Sequence, residues 1–470
     1  MLIHVVKSGE TLWQIASFYK VPASEIVSVN ELPDANLLLI GQALVIPTEG
    51  VLHTVKSGET LWKISQTYGI SIQSIVQANK IANPANIYPG LKLFIPPLRH
   101  TVQRGETLWR IAQRYGTTVQ TLLKINNIDD PNIIYPGYML IIPRKRRPAI
   151  EVNGYIYILG ADAIPIVEED GEHLTYLSPF AYRIREDGSL QVIKDTEAVN
   201  TAIAEDVSPL MCITNFTYSE LGENLAHVVL SSTEIQDRLL QNIINVMRQK
   251  RYVGLNVDFE NVLPADRELY NQFMQRAVDR LHREGYSVSS ALAPKYGPEQ
   301  HGLLYTAHDY PAHGRIADFV VLMTYEWGWR LGPPQAISPL NQIKRVLDYA
   351  VSVMPSEKLF FGFQIYARDW LLPHVKGQEA ETFSMQEAMD RARQYYVTIQ
   401  YDTVTASPYY RYTDAQGRNH EVWFEDARSA QAKFDAVKSY NLRGVSYWAL
   451  GYPFPQNWAL LEDNFNIIRL

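Results

Sequence analysis

The chain has 470 residues, 46% hydrophobic and 20% charged, with a formal net charge of −7. That is ordinary for a folded globular protein and too long for one average domain, so two to four are expected. Its single cysteine, Cys212, excludes an internal disulfide framework and any cysteine-based zinc cage. Because MCITNF reads as a buried strand, Cys212 is expected in a core rather than as a nucleophile. No apolar run approaches the about 18 residues that a membrane span needs. The opening stretch MLIHVVKSGETLW lacks a basic n-region, a continuous apolar core and a small-residue cleavage site. The expectation is therefore a protein without a secretory signal, made in the cytoplasm.

The first third of the chain repeats itself. KSGETLWQIA at 7–16, KSGETLWKIS at 56–65 and QRGETLWRIA at 103–112 are copies of one segment. Asn30, Asn79 and Asn126 keep the same intervals, as do Pro47, Pro96 and Pro143. Fixed spacing of this kind means one small unit used three times. In each, a short strand leads into Gly-Glu-Thr, where the threonine caps a helix that begins at Leu-Trp. A second helix, a glycine turn and a closing strand ending in Ile-Pro follow. Each unit lacks a disulfide, so Leu and Trp13, Trp62 and Trp109 are expected to supply much of its core.

These units, at 1–48, 51–97 and 99–144, resemble LysM modules, which bind polymers containing N-acetylglucosamine. The resemblance implies a glycan groove between two loops. In the second module these are Gly58-Glu59-Thr60 and Ile87-Tyr88-Pro89; in the third, Gly105-Glu106-Thr107 and Ile134-Tyr135-Pro136. The first module has Gly9-Glu10-Thr11 but Leu38-Leu39-Ile40 in place of Ile-Tyr-Pro.

The basic run RKRRP, 144–148, suits a solvated linker better than a nucleic-acid or anionic-lipid site. Residues 1–147 carry 15 Lys/Arg against 9 Asp/Glu, and the remainder 28 against 41. A basic arm on an acidic body suits an anionic polymer. Beyond residue 149, eight strand candidates alternate with amphipathic stretches: 154–160, 174–182, 210–216, 253–260, 286–294, 318–326, 358–366 and 444–450. Eight such repeats favour an α/β fold of the (β/α)8 TIM-barrel type, with a small α+β insertion near 370–430.

Active sites of such barrels lie at the C-terminal ends of the strands. There the sequence places Asn256, Asp258 and Glu260 on alternate positions of YVGLNVDFEN, hence on one strand face. Asn215 ends strand three, Tyr325 and Glu326 end strand six, Gln364 and Tyr366 end strand seven, and Trp448 lies on strand eight. Two acids on one strand face suit glycoside hydrolysis, since one anion keeps the other protonated as the acid. Their closeness argues against carboxylates on opposite sides of the bond and fits a mechanism assisted by the substrate's own acetamido oxygen. Asn256 can hydrogen-bond Asp258 but cannot ionise. Glu326 is either a substrate contact or a structural hydrogen-bond acceptor. Trp327, Trp329 and Trp370 either line a sugar groove or cover the barrel mouth. No metal-ligand spacing or phosphate loop is present, so no metal or cofactor is implied.

From about 150 onwards the chain resembles family-18 glycoside hydrolases, whose fourth strand reads Asp-x-x-Asp-x-Asp-x-Glu. Here Asp258 and Glu260 match, whereas Val253 and Asn256 depart. The resemblance implies Glu260 as general acid/base and Asp258 and Tyr325 as the residues that hold the acetamido group. It also implies Trp448 as the floor beneath the cleaved sugar. Asn256, Glu326, Gln364, Tyr366 and Asn215 are the further substrate-binding candidates. LysM modules on such a barrel, without a secretion signal, resemble the spore cortex-lytic N-acetylglucosaminidases of endospore formers. The implied partner is peptidoglycan of the spore cortex, or chitin, handled by a monomer at the spore coat or cortex without nucleic acid. The alternatives are a chitinase-like hydrolase and a coat protein that binds glycan without cutting it.

Overall fold

The structure, a computed structural model, describes residues 1–143, 147–216 and 224–470. Most of the basic run expected as a linker, residues 144–146, lies outside the described residues. The chain divides into two compact units, Met1–Pro148 with Pro455–Asn464, and Ala149–Phe454 with Phe465–Leu470.

The first unit contains three strand–helix–helix–strand modules. In the second module, strand Val51–Thr54 pairs antiparallel with Lys92–Ile95 around helices Leu61–Tyr68 and Ile72–Asn79. Thr60 caps the first helix by accepting from the Lys63 N–H, and Thr11 and Thr107 do the same in their modules. The repeated asparagine closes each module. Asn79 Nδ2 donates to the Phe94 carbonyl at 2.7 Å while its Oδ1 accepts from the Phe94 N–H at 2.7 Å. Asn30 makes the same pair of bonds to Val45, and Asn126 to Ile141. One side-chain amide thus supplies both hydrogen bonds that a neighbouring strand residue would.

The tryptophans depart from expectation. Leu12, Leu61 and Leu108 are buried, but Trp13, Trp62 and Trp109 are 74%, 61% and 63% exposed. The cores close instead around residues such as Ile64, Ile75, Leu93 and Ile95 of the second module. On an eight-residue helix the inward stripe is one side wide, and the residue beside the leucine falls outside it.

The second unit is a closed barrel of eight parallel strands. They are β1 (Ala149–Ile156), β2 (Tyr176–Pro179), β3 (Ser208–Thr214), β4 (Gly254–Asp258), β5 (Ser287–Leu292), β6 (Phe319–Leu322), β7 (Leu359–Gln364) and β8 (Gly444–Trp448). Each pairs with the next, and β8 returns to β1. The pleat sorts the side chains. On β4, Asn256 turns inward to Tyr155 of β1 and Ser289 of β5, whereas Phe259, just past the strand, stacks on Tyr270 and Phe273 of helix Arg267–His282. Several strands are shorter than the sequence implies, so Glu260, Tyr325, Glu326 and Tyr366 lie in the loops just beyond β4, β6 and β7. Between β7 and β8 runs an antiparallel five-stranded sheet spanning residues 367–423.

These burials separate two neighbouring residues of one helix. Leu61→Ala is expected to cost its module about 2–4 kcal/mol in chemical denaturation of the full chain. Trp62→Ala is expected to stay within about 0.5 kcal/mol of the parent.

Candidate active site

The site rests on the inner layer of the barrel. Asn256 is buried, with its Oδ1 accepting from Tyr155 Oη at 2.9 Å and facing Cys212 Sγ at 3.6 Å, and its Nδ2 donating to Ser289 Oγ at 2.9 Å. These bonds correct two expectations. Asn256 is a brace across β1, β3, β4 and β5 rather than a substrate contact, and its amide is spent on partners other than Asp258. Cys212 is a core residue, and burial pushes its thiol far above the ordinary range.

One pleat nearer the mouth, Asp258 is 4% exposed. Its Oδ1, and Oγ1 of Thr214 in register beside it on β3, have no hydrogen-bond partner among the described residues. Buried polar atoms left without partners cost stability and mark places where a ligand can supply them. Burial, and then the charge of Glu260, raise the Asp258 carboxyl well above the usual carboxylate range. Glu260 is less buried and titrates at about 7, raised by burial and then by the charge of Glu326. Such a group holds a transferable proton at neutral pH and accepts one readily after giving it up.

Two chambers share Glu260 in their lining. One, of about 190 Å³, is lined by Asp258, Tyr155, Phe180, Phe216 and Trp448. The other, of about 160 Å³, is lined by Pro294, Leu304, Tyr305 and Trp327. Both include Glu260, Met323, Tyr325 and Glu326. The Trp448 ring lies edge-on to Phe180 at 4.7 Å and to Tyr155 at 5.8 Å. Tyr325 keeps its phenolic proton far above neutral pH because of burial and the neighbouring Asp258 and Glu260 carboxylates. Asp258, Glu260, Tyr325, Glu326 and Trp448 therefore meet at one cleft. Tyr155, Phe180, Phe216 and Met323 join them without having been singled out. Tyr155 was readable, since it alternates with Tyr157 in the strand candidate 154–160; the others carry no local pattern.

Glu326 sits in a left-handed backbone conformation, φ 69°, which is uncommon outside glycine and asparagine. Buried Arg368 binds it through two nitrogens at 2.9 and 2.8 Å, and the Tyr366 hydroxyl donates to it as well. Tyr366 thus orients Glu326 rather than facing a ligand. Gln364 is fully buried; its Nε2 donates to Glu425, which itself pairs with buried Lys433, and its Oε1 has no partner among the described residues. Asn215 has both ends of its amide on the main chain of Glu260, at 2.8 and 2.9 Å, where a substrate contact was expected. Trp370 is buried and donates to the Gly332 carbonyl, Trp327 lines the second chamber, and Trp329 is exposed. Among the described residues no group of three or more His, Cys, Asp or Glu is placed to hold a metal ion.

In the LysM modules the carboxylates of the Gly-Glu-Thr loops are already engaged. Glu59 accepts from the Lys56 N–H and from His53 at 2.8 Å, and His53 in turn meets the Tyr68 hydroxyl. Glu106 and Glu10 repeat this with His100 and His4. Backbone and histidine bonds hold Glu59 and Glu106 below the usual carboxylate range. Glu59 and Glu106 fix their loops instead of offering free anions, and Thr60 and Thr107 are helix caps. Gly58 and Gly105 carry positive φ in those turns. The exposed rings are Tyr88 at 62% and Tyr135 at 63%, whereas Leu39 of the first module is buried.

The raised Glu260 carboxyl has a stability consequence. The folded state holds this proton up to about 7, the unfolded chain only to its ordinary 4.5. The contribution is therefore fully present below 4.5 and lost as pH rises through 7. Thermal denaturation of Glu260→Gln beside the parent is expected to show equal midpoints at pH 4 and a midpoint gain for the variant that grows to pH 8.

Residues 184–452 match the model of glycosyl hydrolases family 18, and residues 4–47, 53–96 and 100–143 each match the LysM domain. The chain is 41% identical over 474 residues to the cortical fragment-lytic enzyme of Bacillus subtilis (strain 168), covering 100% of this chain and 99% of that protein. It is 42% identical over 298 residues to the enzyme of the same name from Bacillus anthracis, covering 63% of this chain and 69% of that one. The crystal structure of the Bacillus megaterium QM B1551 spore cortex-lytic enzyme SleL superposes with a TM-score of 0.82 at 37% identity, covering 100% of this chain and 99% of that one. With an acid pair at the mouth of a closed barrel and these matches across its whole length, the chain belongs to glycosyl hydrolase family 18, carrying three LysM domains before the barrel.

Proposed function

We propose that this hydrolase cleaves spore cortex peptidoglycan after N-acetylglucosamine, with retention of configuration, through the substrate's acetamido group. The observation that carries the reading is one cleft in which a buried carboxyl with an unpartnered oxygen, Asp258, adjoins a carboxyl titrating near neutrality, Glu260. An N-acetylglucosamine ring over Trp448 brings its acetamido group down to Asp258 and Tyr325. Asp258 Oδ1 accepts the acetamido N–H, and Tyr325 Oη donates to the acetamido oxygen. That oxygen attacks the anomeric carbon as Glu260 protonates the departing glycosidic oxygen. Glu260, now a carboxylate, takes a proton from the water that opens the resulting ring from the opposite face, and two inversions give retention. The rest of the glycan occupies the second chamber beside Trp327 and Tyr305.

The full-length likeness to a cortical fragment-lytic enzyme supports cortex fragments as the substrate and the spore as the place of action. The basic first third carries the LysM domains, which bring the enzyme to insoluble glycan by raising its local concentration. Tyr88 and Tyr135 are the exposed surfaces offered to that polymer.

Glu260→Gln is expected to lose roughly 10²–10⁴-fold in turnover on purified cortex fragments while folding and binding glycan normally. Mass spectrometry of the parent's products should show N-acetylglucosamine at the new reducing end; muramic acid there would overturn the assignment. Tyr88→Ala with Tyr135→Ala is expected to weaken co-sedimentation with insoluble peptidoglycan about tenfold or more and to leave kcat on short soluble fragments unchanged. A fall in kcat would instead make the modules part of the reaction site.

A further inference from the structure

The ladder between β3 and β4 ends at the pair Thr214–Asp258, two residues before Glu260. Beyond it the chain turns away at once, since Asn261 adopts φ 53°. Glu260 therefore stands where regular pairing has stopped. Yet its peptide is held: Glu260 N–H donates to Asn215 Oδ1 at 2.9 Å, and Asn215 Nδ2 donates to the Glu260 carbonyl at 2.8 Å. On the preceding peptide, His308 Nε2 donates to the Phe259 carbonyl at 2.9 Å while His308 Nδ1 accepts from the Ala293 N–H at 2.8 Å. On the following one, Asn224 Nδ2 donates to the Asn261 carbonyl at 3.0 Å. Three consecutive carbonyls are fixed by side chains from three other segments.

We propose that Asn215 is a positioning residue for the reaction: its amide replaces the missing strand neighbour of Glu260 and so fixes where that carboxyl delivers its proton. The proposal rests on Glu260 as the acid. Both polar ends of Asn215 are engaged on the main chain of Glu260, and the side chain is buried. Misplacement of a reacting group by about 1 Å costs roughly 10²-fold in rate. Without the clamp, the carboxyl also reaches more water and moves back toward the ordinary acidic range.

The test measures kcat, KM and the pH profile of kcat/KM on soluble cortex fragments for the full-length parent, Asn215→Ala, Asn215→Asp and Glu260→Gln, each checked for folding by circular dichroism. Asn215→Ala should lose about 30- to 100-fold in kcat with KM within about threefold. Its basic limb should lie at lower pH than the parent's. Asn215→Asp keeps the acceptor for the Glu260 N–H but not the donor, and should recover part of the lost kcat. A raised KM at unchanged kcat would make Asn215 a substrate contact and overturn the proposal. So would a lowered unfolding temperature with parental kcat and an unmoved limb, which would make it a structural residue only. An active Glu260→Gln would remove the acid assignment itself, whereas an inactive one beside a parental Asn215→Ala would remove only the clamp.

Discussion

An asparagine amide that binds both the N–H and the carbonyl of one distant residue recurs at every functional part of this protein. In each LysM module it ties the end of the second helix to the closing strand, and in the barrel it ties the end of β3 to Glu260. The geometry suits short or ended strands. A full neighbour strand would fix its partner along its length, whereas one amide fixes a single peptide and leaves the next residue free to turn. The modules need this because each has only a two-stranded sheet, too small to be stable by itself. Glu260 needs it because its carboxyl has to stand at the mouth while its main chain departs.

Charge is managed around this fixed point by unequal burial. Asp258 lies deep and without a partner for one oxygen, Glu260 lies higher, and Glu326 at the rim has its charge matched by Arg368 and its direction set by Tyr366. Arg368 belongs to the first strand of the inserted sheet, Ala367–Leu372, so the insertion contributes the cation that restrains the third carboxylate of the cleft. Three acids so close together would otherwise each raise the others' affinity for protons. The arrangement leaves Glu260 as the group that titrates near 7.

Patterns with a period were legible in the sequence, and contacts between distant segments were not. The threefold spacing of the modules, the alternation of eight strands with helices, and the acids of β4 with Tyr325 and Trp448 all announce themselves locally. Asn256 was misjudged because it shares a strand face with Asp258, yet its depth in the barrel gives it to Tyr155 and Ser289. The same holds for Tyr366, which binds Glu326: position at a strand end says that a residue is near the mouth, not what its polar atoms bind. Asn215 and Arg368 depend on partners 45 and 42 residues away, which no local pattern encodes. Residue type alone points the module tryptophans to a core, whereas an eight-residue helix has only one buried side.

Those exposed tryptophans give the protein an optical asymmetry. Trp13, Trp62 and Trp109 stand in water on their modules, while Trp370, Trp423 and Trp458 are buried and Trp448 and Trp327 are partly shielded. Water-exposed indoles emit at longer wavelength and meet dissolved quenchers freely, so the red edge of the emission belongs chiefly to the modules, with Trp329 as the barrel's one exposed contributor. A quencher such as iodide therefore acts chiefly on the indoles of the modules in one unlabelled chain.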